Sequence, residues 1–231
     1  MFHVKHRSGS ELDGIDAAQQ QLAAYHNLVR KYHRTLDLVS DRALDRFPAM
    51  VEQAWAYANT IERVAQPGGV VDVGSGVGLP GVVVAVALPY RPVLLVERRR
   101  RRATFLRMVV SQLGLANAVV SEGDVRNASR SAVPRLDPPI GTSPEVGMDG
   151  FAVVTAQAVA ALADVYCLTR HLHADVVTVV ARKGPSWRAE VRAVEERIAA
   201  AADVRAEMRL QGSGTLVAID VPGGLPCPPS G

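Results

Sequence analysis

One stretch limits the folds open to this chain more than any other: Val70-Val-Asp72-Val-Gly74-Ser75-Gly76-Val-Gly78-Leu79-Pro80-Gly81. The apolar run at 70–73 reads as a buried strand, and it breaks into a turn with glycines at alternate positions. An apolar, helix-compatible segment follows at 82–88. Glycines in such a turn let the backbone bend tightly and approach a ligand with no Cβ in the way. The helix behind it points free N–H groups at whatever the turn holds. A strand, a glycine loop and a helix in this order predict a nucleotide pocket.

The glycine spacing is Gly-x-Gly-x-Gly rather than the Gly-x-Gly-x-x-Gly of dinucleotide folds. A second apolar run, 92–96, ends in Glu97, roughly 20 residues past the glycines, where nucleotide-binding folds place an acid on ribose hydroxyls. A third run, 118–120, leads into Glu122-Gly123-Asp124-Val125. A fourth, 151–155, ends in Ala156-Gln157-Ala158, at the edge of the sheet where open α/β proteins place their sites. A helix is expected at 162–173, a fifth strand at 176–181 ending in Arg182-Lys183-Gly184, an amphipathic helix at 187–203, and a hairpin joining 208–210 to 216–221. This βαβαβ alternation predicts an α/β fold, a mostly parallel sheet with helices on both faces. Helical patterns at 11–32 and 41–65, with Pro48 in a first turn or at a break, form an N-terminal extension. It is either core cover or a lid over the site. The division expected is 1–65 helical, 66–221 the α/β domain and 222–231 a disordered tail.

Composition narrows the setting. Hydrophobic residues make up 48% of the 231 positions, enough for a sizeable core. No apolar run reaches the ~18 residues of a membrane span, and the polar start has no secretory signal. The two cysteines, Cys167 and Cys227, are far apart. They suggest neither a metal site nor a disulfide framework, so a reducing cytoplasm is expected. Net charge is +3, compatible with a nucleic-acid partner without requiring one. Arg98 to Arg102 are consecutive arginines at an expected helix start, where cations oppose the helix dipole. The run is either a solvated helix start or, as that cost suggests, a phosphate contact. The segment 130–150 carries Leu136-Asp137-Pro138-Pro139-Ile140. It resembles the acceptor-gripping motif of amino-methylating enzymes, but it has no apolar strand before it and Ile in place of the aromatic, so it is set aside.

The glycine loop with Asp72 ahead of it resembles the first motif of class I S-adenosylmethionine (SAM) methyltransferases. That resemblance implies Asp72 at the methionine end of the cofactor and Gly74, Ser75, Gly76, Gly78 and Leu79 against it. It further implies Glu97 and Arg98 on the ribose side, Asp124 on the adenine amino group and the Val125 backbone on the ring. Asp72 to Gly81, Leu94 to Glu97, Arg101-Arg102 with Phe105-Leu106, Leu113-Gly-Leu115, Val153 to Leu162 and Lys183-Gly184 together resemble the bacterial 16S ribosomal RNA guanine-N7 methyltransferases, the glucose-inhibited division protein B family. The likeness runs roughly from 20 to 221. Several polar positions depart from it. Arg46 is kept, but Phe47 and Met50 stand for a His and an Asp. Gln157 stands for an Arg in the fourth-strand motif, and Asp124 follows Gly123 where an Arg is common. A basic residue near the last hairpin is missing around Gly214 and Thr215.

The family implies SAM-dependent methylation of a guanine N7 in 16S rRNA, with a small-molecule N- or O-methyltransferase as the alternative. A guanine N7 has a free lone pair, so no general base is required. Gln157 is then the candidate catalytic residue, holding the acceptor or the methionine carboxylate. Arg101, Arg102 and Lys183 are the candidate substrate contacts. No metal and no membrane partner are expected, and the oligomeric state is left open.

Overall fold

A computed structural model describes residues 9–132, 150–210 and 214–228. The Asp137-Pro138-Pro139 segment, the tip of the last hairpin and the first eight residues lie outside the described residues.

The apolar runs become strands because each is buried on both sides. β1 (Gly69–Val73) and β2 (Val93–Glu97) are buried along their whole length, as strands of a parallel sheet covered by helices must be. β3 (Ala118–Glu122), β4 (Phe151–Gln157), β5 (His173–Lys183), β6 (Asp203–Arg209) and β7 (Thr215–Pro222) complete one sheet in the order β3-β2-β1-β4-β5-β7-β6. β3, β2, β1, β4 and β5 run parallel, and β7 enters antiparallel between β5 and β6. The order reverses at β1, so the ends of β1 and β4 open the crevice where such sheets bind ligands.

Two apolar cores lie on the two faces of the sheet. On one, α1 (Gly9–Tyr32), α3 (Phe47–Val64), α4 (Gly81–Ala87) and α5 (Arg100–Gln112) pack on Val70, Leu95, Val153 and Val180. On the other, α6 (Leu162–Thr169) and α7 (Trp187–Ile198) pack on Val71, Leu94, Val154 and Val179. The N-terminal helices therefore share a core with the sheet. Short α2 (Asp41–Asp45) is capped by Ser40, whose hydroxyl accepts from the Ala43 amide. Pro48 sits in the first turn of α3, where its missing N–H costs nothing. Phe47, one of the departures from the family pattern, is fully buried against the rings of Tyr25 and His26, so the position serves the core. Loops are tied by buried polar groups: the Asn117 amide donates to the carbonyls of Ala85, Leu88 and Arg91, and Arg91 donates to those of Ala65, Gln66 and Gly68.

Three expectations require correction. The amphipathic pattern at 187–203 stops short: α7 ends at Ile198 because Ala199 takes a left-handed turn at φ 51°, and β6 begins at Asp203. α6 ends at Thr169, whose hydroxyl turns back to the carbonyls of Val165 and Tyr166, and His173 already opens β5. The tail is not free through 228. Cys167 and Cys227 form a disulfide across 60 residues. The Tyr166 hydroxyl donates to the Pro222 carbonyl and accepts from the Leu225 amide, while Arg197 holds the Pro228 carbonyl. A Pro-rich composition concealed contacts that all come from distant helices.

Candidate active site

The glycine loop leaves β1 at the switch point. Gly74 and Gly76 have positive φ of 66° and 60°, and the Ser75 amide reaches the Val96 carbonyl of the neighbouring strand at 3.0 Å. Gly78 is the crowded position. A Cβ there would lie 2.6 Å from Val82 Cγ2 and 2.8 Å from the Tyr25 hydroxyl. That hydroxyl donates to the Val77 carbonyl at 2.9 Å. Helix α1 thus clamps the outer side of the loop, a contact that periodicity could not show. Leu79, before a cis peptide to Pro80, buries its side chain in the core under these helices. Only its backbone remains for a ligand.

Glu97 terminates β2 and is 4% exposed. Its Oε2 accepts from the Gly76 amide at 2.8 Å and its Oε1 from the Arg99 amide at 2.7 Å. One carboxylate therefore fixes the glycine loop and the entrance to α5 together, with lone pairs left for a ribose. Its backbone carbonyl accepts from the Gly123 amide at 3.0 Å, which brings the segment after β3 to the same edge. There Asp124 caps a short turn, and Val125 behind it is buried. The Asp124 carboxyl is held well below the usual carboxylate range, first by hydrogen bonds from Arg126 and less by the charge of Arg98. Of the three acids, Asp124 is partly exposed and Glu97, though buried, keeps a little surface.

Asp72 does not. It has no exposed surface, so the contact with the cofactor implied by resemblance is corrected to support from beneath. Its Oδ1 accepts from the Thr155 hydroxyl of β4 at 2.7 Å. Its Oδ2 lies under the Gly81 amide without a well-formed hydrogen bond. Burial raises its carboxyl to about 6 against the Thr155 hydrogen bond. A Cβ on Gly81 would meet Asp72 Oδ2 at 2.5 Å, so Gly81 is required by this close approach. Ser75 is also enclosed, its hydroxyl donating to the Asp72 carbonyl at 3.0 Å.

The arginine run straddles a turn: Arg98 precedes the helix, Arg99 caps it and α5 starts at Arg100. The Glu97 carboxylate directly ahead of the helix offsets part of the cost of cations there. Arg98, Arg99, Arg100 and Arg101 are exposed. Arg102 is half-buried and donates to the Asp37 carbonyl at 3.3 Å, so it joins α5 to the loop after α1. Lys183 is closed as well, and its reading as a substrate contact is corrected. Its ammonium donates to the Ala160 carbonyl at 2.7 Å and pairs with Glu190 at 2.8 Å, with only 10% of the side chain exposed.

Gln157 ends β4 at the crevice. The next residue, Ala158, is left-handed at φ 55°, an uncommon conformation for a residue with a Cβ and one that clusters at functional sites. It brings Val159 over Gly74, 3.1 Å from where a Cβ would stand, with Val159 40% exposed. Across the sheet, Gln157 is the register partner of Arg182. Arg182 donates from its backbone to the Tyr57 hydroxyl at 2.9 Å and from Nη1 to Gln53 Oε1 at 3.1 Å. Tyr25, Thr155 and Arg182 were missed from the sequence. Only the tyrosine on the apolar stripe of α1 left a trace there.

The glycine cradle, the loop-anchoring acid at the end of β2 and the capped turn after β3 fit an adenosyl cofactor. Among the described residues no group of three or more His, Cys, Asp or Glu could hold a metal ion, and no helix is long and apolar enough to cross a membrane.

Comparison with known proteins places this geometry. The model of the GidB family, rRNA small subunit methyltransferase G, matches residues 18–214. The ribosomal RNA small subunit methyltransferase G of Halorhodospira halophila is 30% identical over 201 residues, covering 87% of this chain and 86% of the relative. That of Cupriavidus pinatubonensis is 33% identical, covering 75% and 71%. Among solved structures, the ribosomal protein L11 methylase of Lactobacillus delbrueckii subsp. bulgaricus superposes with a TM-score of 0.51 at 18% identity, covering 72% of this chain and 77% of that one. A variant of MtNAS in complex with S-adenosylmethionine does so at 0.50 and 17%, covering 91% and 76%. At these identities the two structures show a shared fold.

Proposed function

The chain belongs to the GidB family of small-subunit rRNA methyltransferases, and from that premise we propose that it transfers a methyl group from SAM to a guanine N7 of 16S rRNA. The enzyme class and the cofactor follow from the family. The acceptor atom rests on the site. Among the described residues, the C-terminal ends of β1, β4 and β5 expose no His, Cys or carboxylate that could take a proton from a substrate, because the one carboxylate there, Asp72, is fully enclosed. An acceptor with a free lone pair, such as guanine N7, asks for none.

When bound, the cofactor supplies a methyl on a sulfonium, and that chemistry is its own. This chain's residues bind and align. Glu97 would take the ribose hydroxyls, while Asp124 and the Val125 backbone would hold the adenine. The backbone of residues 74–79 would line the methionine end, kept in shape by Tyr25 from outside and Asp72 from below. The exposed arginines 98–101 stand on the same edge and would meet RNA phosphates. With the lysine of β5 spent on Glu190, these arginines are a run of exposed cations directly after Glu97. A small-molecule acceptor has no specific observation in its favour.

The observation that carries the reading is Glu97 bridging the glycine loop and the start of α5, beside the turn that holds Asp124. Cytoplasmic action follows from the proposed substrate. A disulfide between Cys167 and Cys227 would be uncommon in that compartment, so the thiol state in cells is part of the proposal's test. The decisive experiment incubates the protein with labelled SAM and small subunits or 16S rRNA from cells lacking the enzyme. Label is expected in the RNA, at a guanine that borohydride and aniline then cleave. SAM binding without transfer to either RNA form would overturn the proposal.

A further inference from the structure

We propose that Arg182 is the acceptor-positioning cation of this site: its guanidinium, beside the amide of Gln157, holds a phosphate of the RNA strand that carries the target base. The inference rests on the rRNA reading above and adds a residue to it.

Placement comes first. Gln157 and Arg182 are register partners on parallel strands, so their side chains leave the sheet on the same face. The alternation identifies that face. Val153 of β4 and Val180 of β5 lie in the core under the N-terminal helices, and Ala156 and Ala181 lie in the opposite one. Residues 157 and 182 therefore project toward α3, and two contacts from one turn of that helix, Gln53 and Tyr57, agree. Both residues stand at the strand ends, on the edge from which the glycine loop leaves β1.

Availability comes second. Arg182 uses Nη1 on Gln53, and the rest of its donor fork makes no hydrogen bond among the described residues. The Gln157 amide makes none there either. Lys183, one residue on, points to the opposite face and is spent on Ala160 and Glu190. The end of β5 thus carries two cations, one closed and structural, the other held at a corner and open.

Chemistry comes third. Guanidinium is always charged and its planar fork matches phosphate oxygens. Half-buried under α3, its charge is less screened than that of the exposed arginines. Arginine also reads guanine through O6 and N7, but a guanidinium on N7 would cover the atom to be methylated. A phosphate is the acceptor-strand group it can hold without blocking the reaction.

The test measures affinity of the full-length protein for 16S rRNA across a salt series, for the native chain, Arg182→Gln, Arg182→Lys and Gln53→Ala. Arg182→Gln is expected to weaken RNA binding about tenfold. The slope of log affinity against log salt should fall by about one, with SAM affinity unchanged by calorimetry. Arg182→Lys should keep the slope, and Gln53→Ala should keep both slope and SAM affinity. An unchanged slope in Arg182→Gln, or a loss of SAM affinity in place of RNA affinity, would overturn the proposal. So would a Gln53→Ala variant that reproduces the whole RNA defect, because Arg182 would then act only by holding α3. Failure of the native chain to bind 16S rRNA would instead remove the rRNA reading itself, which separates the two failures.

Discussion

The two faces of the sheet bury comparable apolar cores but use their buried polar groups differently. Under the N-terminal helices, Tyr25, Asp72, Thr155 and Arg182 all lie near the ends of β1, β4 and β5, and their bonds shape the glycine loop and its surroundings. Under α6 and α7, the buried polar groups fasten the chain. Thr169 meets His173 at 2.7 Å, Tyr166 clasps the tail, and the disulfide closes it. The first face carries an unsatisfied carboxylate oxygen, Asp72 Oδ2. The second also has an orphan, Nδ1 of His173, but that ring is remote from the loop and packs at a tilt against Tyr166. Location at the sheet's carboxyl edge separates a group that serves a ligand from one that serves the fold.

Four experiments test that division, beginning with the largest effect. Cys227→Ser, or reduction of the disulfide, removes a constraint across 60 residues. On chain entropy alone that is about 4 kcal/mol of folding stability. Denaturant unfolding should show a loss up to that size, while SAM affinity at saturating fold stays unchanged. A matching loss of SAM affinity would couple the two faces and break the comparison.

The second is pH. The Asp72 carboxyl, raised to about 6 by burial, is more easily protonated folded than unfolded, so it lowers stability as pH rises from about 4 to 6. His173, lowered to about 3 by burial and then by His171 and Arg130, is harder to protonate folded. It lowers stability as pH falls below about 6.5. Between pH 4 and 6 the two slopes oppose, and each is on the order of 1.4 kcal/mol per pH unit. Asp72→Asn should therefore expose a loss of stability on acidification, and His173→Leu a loss on moving toward neutrality. Urea unfolding at pH 4, 5 and 6 distinguishes them, and identical profiles in both variants would contradict the assignment.

The third and fourth act on the loop. Glu97→Gln keeps the shape but loses the charge that accepts from Gly76 and Arg99. SAM binding should weaken about 10- to 100-fold, read by calorimetry. Tyr25→Phe removes one hydrogen bond to the Val77 carbonyl, worth about 1 kcal/mol. The KM for SAM should rise a few-fold, with the KM for RNA unmoved.

Much of this architecture was legible in the sequence. The strand runs are apolar because parallel strands are buried on both sides, so 70–73 and 92–96 could be placed directly. The glycine loop and Glu97 were legible because backbone chemistry forces their residue types. The failures share a physical origin in long-range contact. Asp72 was read as a ligand contact because sequence shows a carboxylate after a strand and not the Thr155 hydroxyl that meets it from β4. Lys183 was read as open because Glu190 and Ala160 reach it only after folding. Arg182 was overlooked because its meaning lies in the register with Gln157, and register is invisible in one dimension. The tail was read as disordered because proline-rich composition carries no record of Tyr166 or Cys167.

A crystal structure of the protein with S-adenosylhomocysteine tests the central claim most directly. The ribose hydroxyls are expected on Glu97, the adenine against residues 123–125, and the sulfur facing the space beside Gln157 and Arg182. Adenosyl density anywhere else, or Glu97 still turned wholly to Gly76 and Arg99 with the ribose out of its reach, would contradict it.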